Sequence, residues 1–172
     1  KVIILAGGWG TRLGQHTEWI PKPMIQLGSR PLIWHIMKYF SHYDFKDFIV
    51  SAGVKAHILK EYFLNYEAYT SDFIRDYATD EIHYLNGSLD IDWRVAVVDT
   101  GLNTQKGARI KRVEKMLTDD VNMVTYGDGL SDIDLQKLNE FHSGHGKTIT
   151  ISGVHPPARF GEITDIQGVV QE

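Results

Sequence analysis

Lys1-Val-Ile-Ile-Leu-Ala-Gly-Gly-Trp-Gly-Thr-Arg12 joins an unbroken apolar run to three closely spaced glycines. The run Val2 to Leu5 shows no polar alternation, which suits a central strand of a parallel sheet covered on both faces. Gly7, Gly8 and Gly10 punctuate its end. Without side chains, backbone at such a loop can approach a ligand closely and turn its N–H groups into a concave anion nest, for which a triphosphate is the natural guest. Neither the Gly-Lys-Ser/Thr of a Walker loop nor a spaced dinucleotide fingerprint is present, so the loop by itself reads equally as a tight structural turn.

Outward from this loop the pattern alternates. After Pro31, a proline suited to a first helical turn, Leu32, Ile33, Ile36, Met37 and Phe40 recur at helical spacing, and Phe48 to Ala52 reads as a second strand. Lys55 to Phe63 is amphipathic, Val95 to Val98 gives a third strand, and Met123 to Tyr126 a fourth that ends in Gly127-Asp128-Gly129. Ile133 to Phe141 is again helical, Thr148 to Val154 alternates as a strand would, and Ile163 and Val169-Val170 flank Gly168 as a hairpin. This order predicts an α/β fold with a Rossmann-like, mostly parallel sheet, helices on both faces and ligands beyond the carboxyl ends of the strands. Tyr66 to Trp93, of mixed polarity and without a clean period, reads as an excursion from that plan.

With 172 residues and 42% hydrophobic content, one substantial core and one domain are expected. A net charge of -4 gives no broad basic field, so a polyanion must be held by a local cluster of donors, and nucleic acid is not expected as a partner. The absence of cysteine rules out thiolate chemistry and fits a reducing, cytoplasmic setting. Val2 to Ala6 is far shorter than a signal-peptide core and no apolar run approaches about 18 residues, so a soluble protein with no membrane partner is expected.

Several side chains carry chemistry. Arg12 follows the glycine loop closely enough to fork onto terminal phosphates, and Lys22, stiffened between Pro21 and Pro23, offers a compact charge for a reacting phosphorus. Pro-Lys-Pro alone also reads as an exposed rigid turn. Asp128, between two glycines after an apolar strand, sits where a cleft should open and suits magnesium, while an Asx turn is the plainer alternative. Asp132 and Asp134 read as helix N-terminal acids, and Arg109, Lys111, Arg112 and Lys115 as a basic helix face. His142 and His145 are taken as non-ligands because Ser143-Gly144 should break the helix between them. Trp34, Met37, Tyr62 and Phe63 fall on helical stripes and read as core.

Gly7-Gly8-Trp9-Gly10-Thr11-Arg12 followed by Pro21-Lys22-Pro23-Met24 resembles the two-part signature of sugar nucleotidyltransferases. Pro31-Leu-Ile-Trp-His-Ile-Met-Lys38, Glu61-Tyr-Phe-Leu-Asn65, Val98-Asp-Thr-Gly101, Thr125-Tyr-Gly-Asp-Gly129, His145-Gly-Lys147 and Pro156-Pro-Ala-Arg-Phe-Gly161 are similar to the glucose-1-phosphate cytidylyltransferases. Uridylyl and thymidylyl relatives resemble Leu-Gly-Asp where this chain has Tyr126-Gly-Asp128. The resemblance implies that Leu5, Ala6, Gly7 and Gly8 hold cytidine and its phosphates through backbone groups, and that Gly10, Thr11 and Arg12 continue the cradle. Lys22 would touch the reacting phosphate, Arg109 the nucleotide and Gly161 a sugar hydroxyl, with Asp128 as the Mg2+ ligand and Arg12, Lys22 and Asp128 as the catalytic set. Lys106 departs from the pattern where a small hydroxyl residue is expected near the nucleotide, and Gln26 where an acid is expected.

The implied reaction is magnesium-assisted, in-line attack by α-D-glucose 1-phosphate on the α-phosphorus of CTP, giving CDP-glucose and pyrophosphate in a homo-oligomeric enzyme. The same chemistry with another nucleoside triphosphate or sugar 1-phosphate, and a non-catalytic nucleotide-binding module, are the alternatives. Residues 1–172 read as a nucleotidyltransferase domain. Relatives continue past a segment resembling Gly168-Val-Val-Gln-Glu172 into a Glu-Lys-Pro stretch and, later, a second magnesium aspartate. A sugar-binding part beyond residue 172 is therefore expected.

Overall fold

Burial on both sides of one strand explains the architecture. In β1 (Val2–Ala6), Val2, Ile3 and Ile4 are all fully buried, so helices must cover both faces of the sheet it belongs to. The computed structural model describes residues 1–9, 19–85 and 91–154 and the backbone of two strands at 164–166 and 169–171. The readings placed on Gly10, Thr11, Arg12, Gly161 and Gly168 lie outside the described residues.

After a 3-10 turn at Lys22–Met24 come a two-stranded ribbon, β2 (Gln26–Leu27) and β3 (Arg30–Pro31), and then α1 (Leu32–His42). There follow β4 (Asp47–Ala52), α2 (Ala56–Leu64), α3 (Tyr66–Thr70) and an antiparallel hairpin of β5 (Phe73–Asp76) and β6 (Glu81–Tyr84). Next are β7 (Arg94–Asp99), α4 (Lys106–Arg112), β8 (Met123–Tyr126) and α5 (Leu135–His145), and last β9 (Thr164–Ile166) and β10 (Val169–Gln171). No described helix is long and apolar enough to cross a membrane.

The main sheet has the order β7-β4-β1-β8 and every pair is parallel, as the sequence pattern predicts. From β1 the chain steps outward to β4 and β7, then returns across β1 to β8. Because such crossovers are right-handed, the reversal places α4 on the face opposite α1 and α2. The core agrees. Ile3, Ile49 and Val113 form a buried cluster with Leu5, Val98, Ile110, Met116 and Leu117, so α4 and the turn after it cover one face. Ile33, Ile36, Met37 and Phe40 of α1 are buried, and so are Ile4 and Val50, which are partners in the sheet register.

Two units make up the chain, Lys1–Leu135 and Gln136–Glu172, and the main sheet belongs wholly to the first. In the second, β9 and β10 pair antiparallel with Ile166 opposite Val169, which is the expected hairpin. Two expectations are corrected there. Thr148 to Val154 is not a strand: it pairs with no described neighbour, and Ile149, Ile151 and Val154 are exposed, because alternation alone supplies no ladder partner. Ser143-Gly144 does not break the helix, since α5 runs on to His145. A glycine in a helix costs about 1 kcal/mol relative to alanine. That penalty is opposed by a bond from Ser143 Oγ to the Asn139 carbonyl, and by Thr150 Oγ1, which lies 2.8 Å from His142 Nδ1 and 2.7 Å from His145 Nε2.

Candidate active site

Where the strand order reverses, beside β1, a cleft should open at the carboxyl ends of the strands. A cavity of about 680 Å3 lies there, lined by Leu5 to Trp9 after β1, by Leu102 to Lys106 and Arg109 after β7, by Tyr126, Gly127 and Asp128 at the end of β8, and by Lys22 and Pro23. Thus Leu5, Ala6, Gly7, Gly8, Lys22, Arg109 and Asp128, chosen from sequence, come together in one place. Gln26 does not join them; it is exposed on β2 and lines a smaller, separate cavity.

Lys22 Nζ donates to Asp128 Oδ2. The approach depends on Gly127, where a Cβ would meet Pro23 Cγ at 2.7 Å. Gly127 also donates its N–H to the Leu5 carbonyl at 3.0 Å, which ties the end of β8 to that of β1. The Pro21-Lys22-Pro23 turn can therefore lie flat on the end of β8 and bring its ammonium to the carboxylate. Both side chains remain about one third exposed, so the pair faces the cavity rather than the core.

Arg109 is different. It is 5% exposed, and its guanidinium is engaged by protein oxygens. Nη1 donates to the Ala52 carbonyl at 3.0 Å and to Thr100 Oγ1 at 2.7 Å, while Nη2 donates to the carbonyls of Gly7 at 2.9 Å and Leu102 at 3.2 Å. Burial, and then the nearby Arg112 cation, lower its pKa from the ordinary arginine value, while Asp99 opposes them. Thr100 completes the network: its hydroxyl donates to Ala52 O at 2.6 Å, leaving the oxygen to accept from Arg109 and from the Ser51 hydroxyl at 3.1 Å. One side chain so joins the ends of β1, β4 and β7.

Two features were missed in the sequence. Gly7 and Gly53 accommodate the guanidinium: a Cβ at Gly7 would fall inside it, and one at Gly53 would meet Nη1 at 2.5 Å. Thr100 precedes Gly101 at the end of β7, a strand-end position that could have drawn notice. Toward the end of α4, Lys111 and Arg112 stay local. Arg112 Nη1 donates to the Thr100 carbonyl and to Thr104 Oγ1, and Lys111 pairs with Glu114 at 2.6 Å.

A doubly wound sheet with a glycine loop, a lysine and a carboxylate converging at its switch point is an α/β domain whose ligand site is expected at the carboxyl ends of the strands. The chain belongs to the nucleotidyl transferase family, whose model matches residues 1–171. It is 43% identical over 168 residues to the glucose-1-phosphate cytidylyltransferase of Salmonella typhi, covering 97% of this chain and 65% of that protein. It is 36% identical over 171 residues to the probable glucose-1-phosphate cytidylyltransferase of Bacillus subtilis (strain 168), covering 99% and 66%. The chain thus spans just under two thirds of the length of these curated relatives. Among solved structures, a UDP-glucose pyrophosphorylase complexed with UDP-glucose superposes with a TM-score of 0.57 at 18% identity, over 83% of this chain and 52% of that one. That likeness concerns the fold alone.

Proposed function

We propose that this chain is the nucleotide-binding portion of a glucose-1-phosphate cytidylyltransferase, which joins CTP to α-D-glucose 1-phosphate with release of pyrophosphate. The observation that carries the reading is the meeting of Lys22 and Asp128 in a cavity floored by the glycine loop after β1. Identity to the named relatives over nearly the whole chain supports the choice of nucleotide and sugar.

A phosphate monoester is already a nucleophile, so no covalent intermediate is needed. The protein must hold two mutually repelling anions in line and neutralise the charge that shifts among the phosphate oxygens. Lys22 faces the cavity as a compact cation for the reacting phosphate, and exchanges its carboxylate partner for that phosphate when nucleotide binds. The backbone of Leu5 to Gly8 receives the nucleotide, and Arg12 completes the phosphate contacts. Arg109 serves as a positioning residue, holding Gly7 through its carbonyl.

Asp128 fits magnesium. It is a partly exposed carboxylate on the cavity wall. Magnesium commonly uses one or two carboxylates together with substrate phosphates and water. When bound, it supplies Lewis-acid neutralisation of the triphosphate oxygens. The reading carries with it a cytoplasmic, homo-oligomeric enzyme.

The test is pyrophosphate release by the full gene product with CTP, UTP, dTTP and GTP against a panel of sugar 1-phosphates. Fastest turnover is expected with CTP and glucose 1-phosphate. Preference for another pair would overturn the specificity, and binding without turnover on any pair would favour a non-catalytic module.

A further inference from the structure

Gly7 and Gly8 meet at a peptide that the sequence leaves free to turn. Between two glycines the plane can rotate at little steric cost, exchanging the sides on which the Gly7 carbonyl and the Gly8 N–H lie. Something outside the loop must choose. The Gly7 carbonyl accepts from Arg109 Nη2 at 2.9 Å. The peptide is trans, so the Gly8 N–H points the opposite way, off the guanidinium. Gly7 is buried, whereas Gly8 is exposed on the cavity lining, and among the described residues its N–H has no acceptor. Such a backbone donor on a cavity wall is where an anionic oxygen is met.

Arg109 can hold this carbonyl only while its guanidinium keeps one orientation. All four η hydrogens are used, those of Nη1 on the Ala52 carbonyl and Thr100 Oγ1, those of Nη2 on the carbonyls of Gly7 and Leu102. Of these acceptors Thr100 Oγ1 alone belongs to a side chain. Thr100 is fully buried and its own backbone fixes its place: its N–H donates to the Ala52 carbonyl at 2.9 Å and its carbonyl accepts from Arg112 Nη1. Its hydroxyl also donates to Ala52 O, at 2.6 Å, which turns the oxygen to Arg109 as an acceptor at 2.7 Å. We propose that Thr100 is a positioning residue of the nucleotide site: its hydroxyl orients the Arg109 guanidinium, and through it the Gly7–Gly8 peptide, so that the Gly8 N–H faces the triphosphate. This rests on the nucleotidyltransferase reading above.

Without the hydroxyl, one Nη1 hydrogen is left buried and unsatisfied, which costs more than the bond itself contributes. The guanidinium regains a partner by turning toward the cavity and its water, and releases the Gly7 carbonyl. The peptide then samples both orientations, and in one of them a carbonyl oxygen faces the ligand in place of an N–H.

The experiment uses the full gene product. It measures binding of CTP in the presence of Mg2+ by calorimetry and the Gly8 amide resonance by NMR of isotope-labelled protein. Thr100→Val, which keeps the shape and removes the hydroxyl, should weaken CTP about tenfold and shift the Gly8 amide of the ligand-free protein. Thr100→Ser restores the acceptor and should stay within about twofold of the parent. Arg109→Lys keeps the charge but cannot span Thr100 and Gly7, so it should shift the same amide, and adding Thr100→Val to it should cost nothing further. Ile36→Val, a core change on the opposite face of the sheet from α4, stands for general loss of stability and should leave CTP affinity unchanged. Parental CTP affinity or an unmoved Gly8 amide in Thr100→Val would overturn the proposal. So would an equal loss in Ile36→Val, additive losses in the double variant, or failure of Thr100→Ser to keep binding. If Thr100→Val does not fold, the Gly8 amide of Arg109→Lys decides: displaced, it supports the proposal, and in place, it refutes it. An unsubstituted protein that binds no nucleoside triphosphate defeats the nucleotidyltransferase reading instead, and is distinguishable because no variant is involved.

Discussion

A methyl group on Gly7 would collide with the Arg109 guanidinium, which four hydrogen bonds prevent from stepping aside, and Gly53 meets the same group from β4's end. Overpacking of this kind costs about 1–3 kcal/mol. Gly7→Ala and Gly53→Ala are therefore expected to lower the unfolding free energy by that amount, seen as a lower urea midpoint with an unchanged slope. Gly8→Ala, where nothing lies within 4 Å of the added carbon, should stay within about 0.5 kcal/mol of the parent. Equal stability of Gly7→Ala and Gly8→Ala would remove the packing argument. Asp128 makes the opposite case. Its ion pair with Lys22 is partly exposed, and pairs of that kind are worth at most about 1 kcal/mol, so Asp128→Asn should leave the urea midpoint nearly unchanged. The substitution removes a hard anionic ligand at constant volume, and magnesium-dependent turnover should vanish. A magnesium titration of turnover that matches the parent's would refute the metal role.

At the scale of elements, one contact sets where Lys22 meets Asp128: the Pro21-Lys22-Pro23 turn packed on Gly127. Gly127→Ala must push Pro23 back, and with it Lys22, while Gly129→Ala meets nothing within 4 Å. Misplacement by about 1 Å can lower a rate about 100-fold, so kcat should fall steeply in the first variant and not in the second, with circular dichroism unchanged in both. A Gly127→Ala enzyme of normal kcat would show that the turn is free to relax. The elements behind this contact differ in how plainly the sequence declares them. β1, β4, β7 and β8 fall within a residue of the apolar runs, which are most continuous in the central β1 and β4 because those strands are buried on both faces. The β5–β6 hairpin does not declare itself, since Phe73, Ile74 and Ile82 are exposed and no buried face imposes alternation. Lys22 and Asp128 were legible because prolines and glycines mark where a chain is held stiff or must pass close. Residue pattern alone showed Arg109 only as one member of a basic helix face, and the family resemblance singled it out; its burial follows from Gly7 and Gly53, which lie 102 and 56 residues earlier, a proximity that no local pattern encodes.

For the whole molecule, the net charge of -4 opposes the approach of a polyanion at long range, so affinity for a nucleoside triphosphate would have to arise inside the cavity, whose lining includes Lys22, Lys106 and the Leu5 to Gly8 segment. The described lining of that cavity belongs to the unit Lys1–Leu135, and it gathers the ends of β1, β7 and β8, segments that join only when the sheet is assembled. A ligand seated there binds the folded sheet and not its separated strands, and so must stabilise the fold by mass action. At a concentration 100 times its dissociation constant, Mg2+·CTP is expected to add about 2.7 kcal/mol. For a chain of this size that raises the unfolding midpoint by roughly 5–10 °C. Hydrogen exchange should slow in the loops after β1, β7 and β8. With Mg2+ omitted the shift should shrink, because Asp128 then faces the triphosphate as a bare like charge. An unchanged midpoint in saturating Mg2+·CTP, or protection confined to residues outside Lys1–Leu135, would mean that the nucleotide site lies elsewhere in the protein.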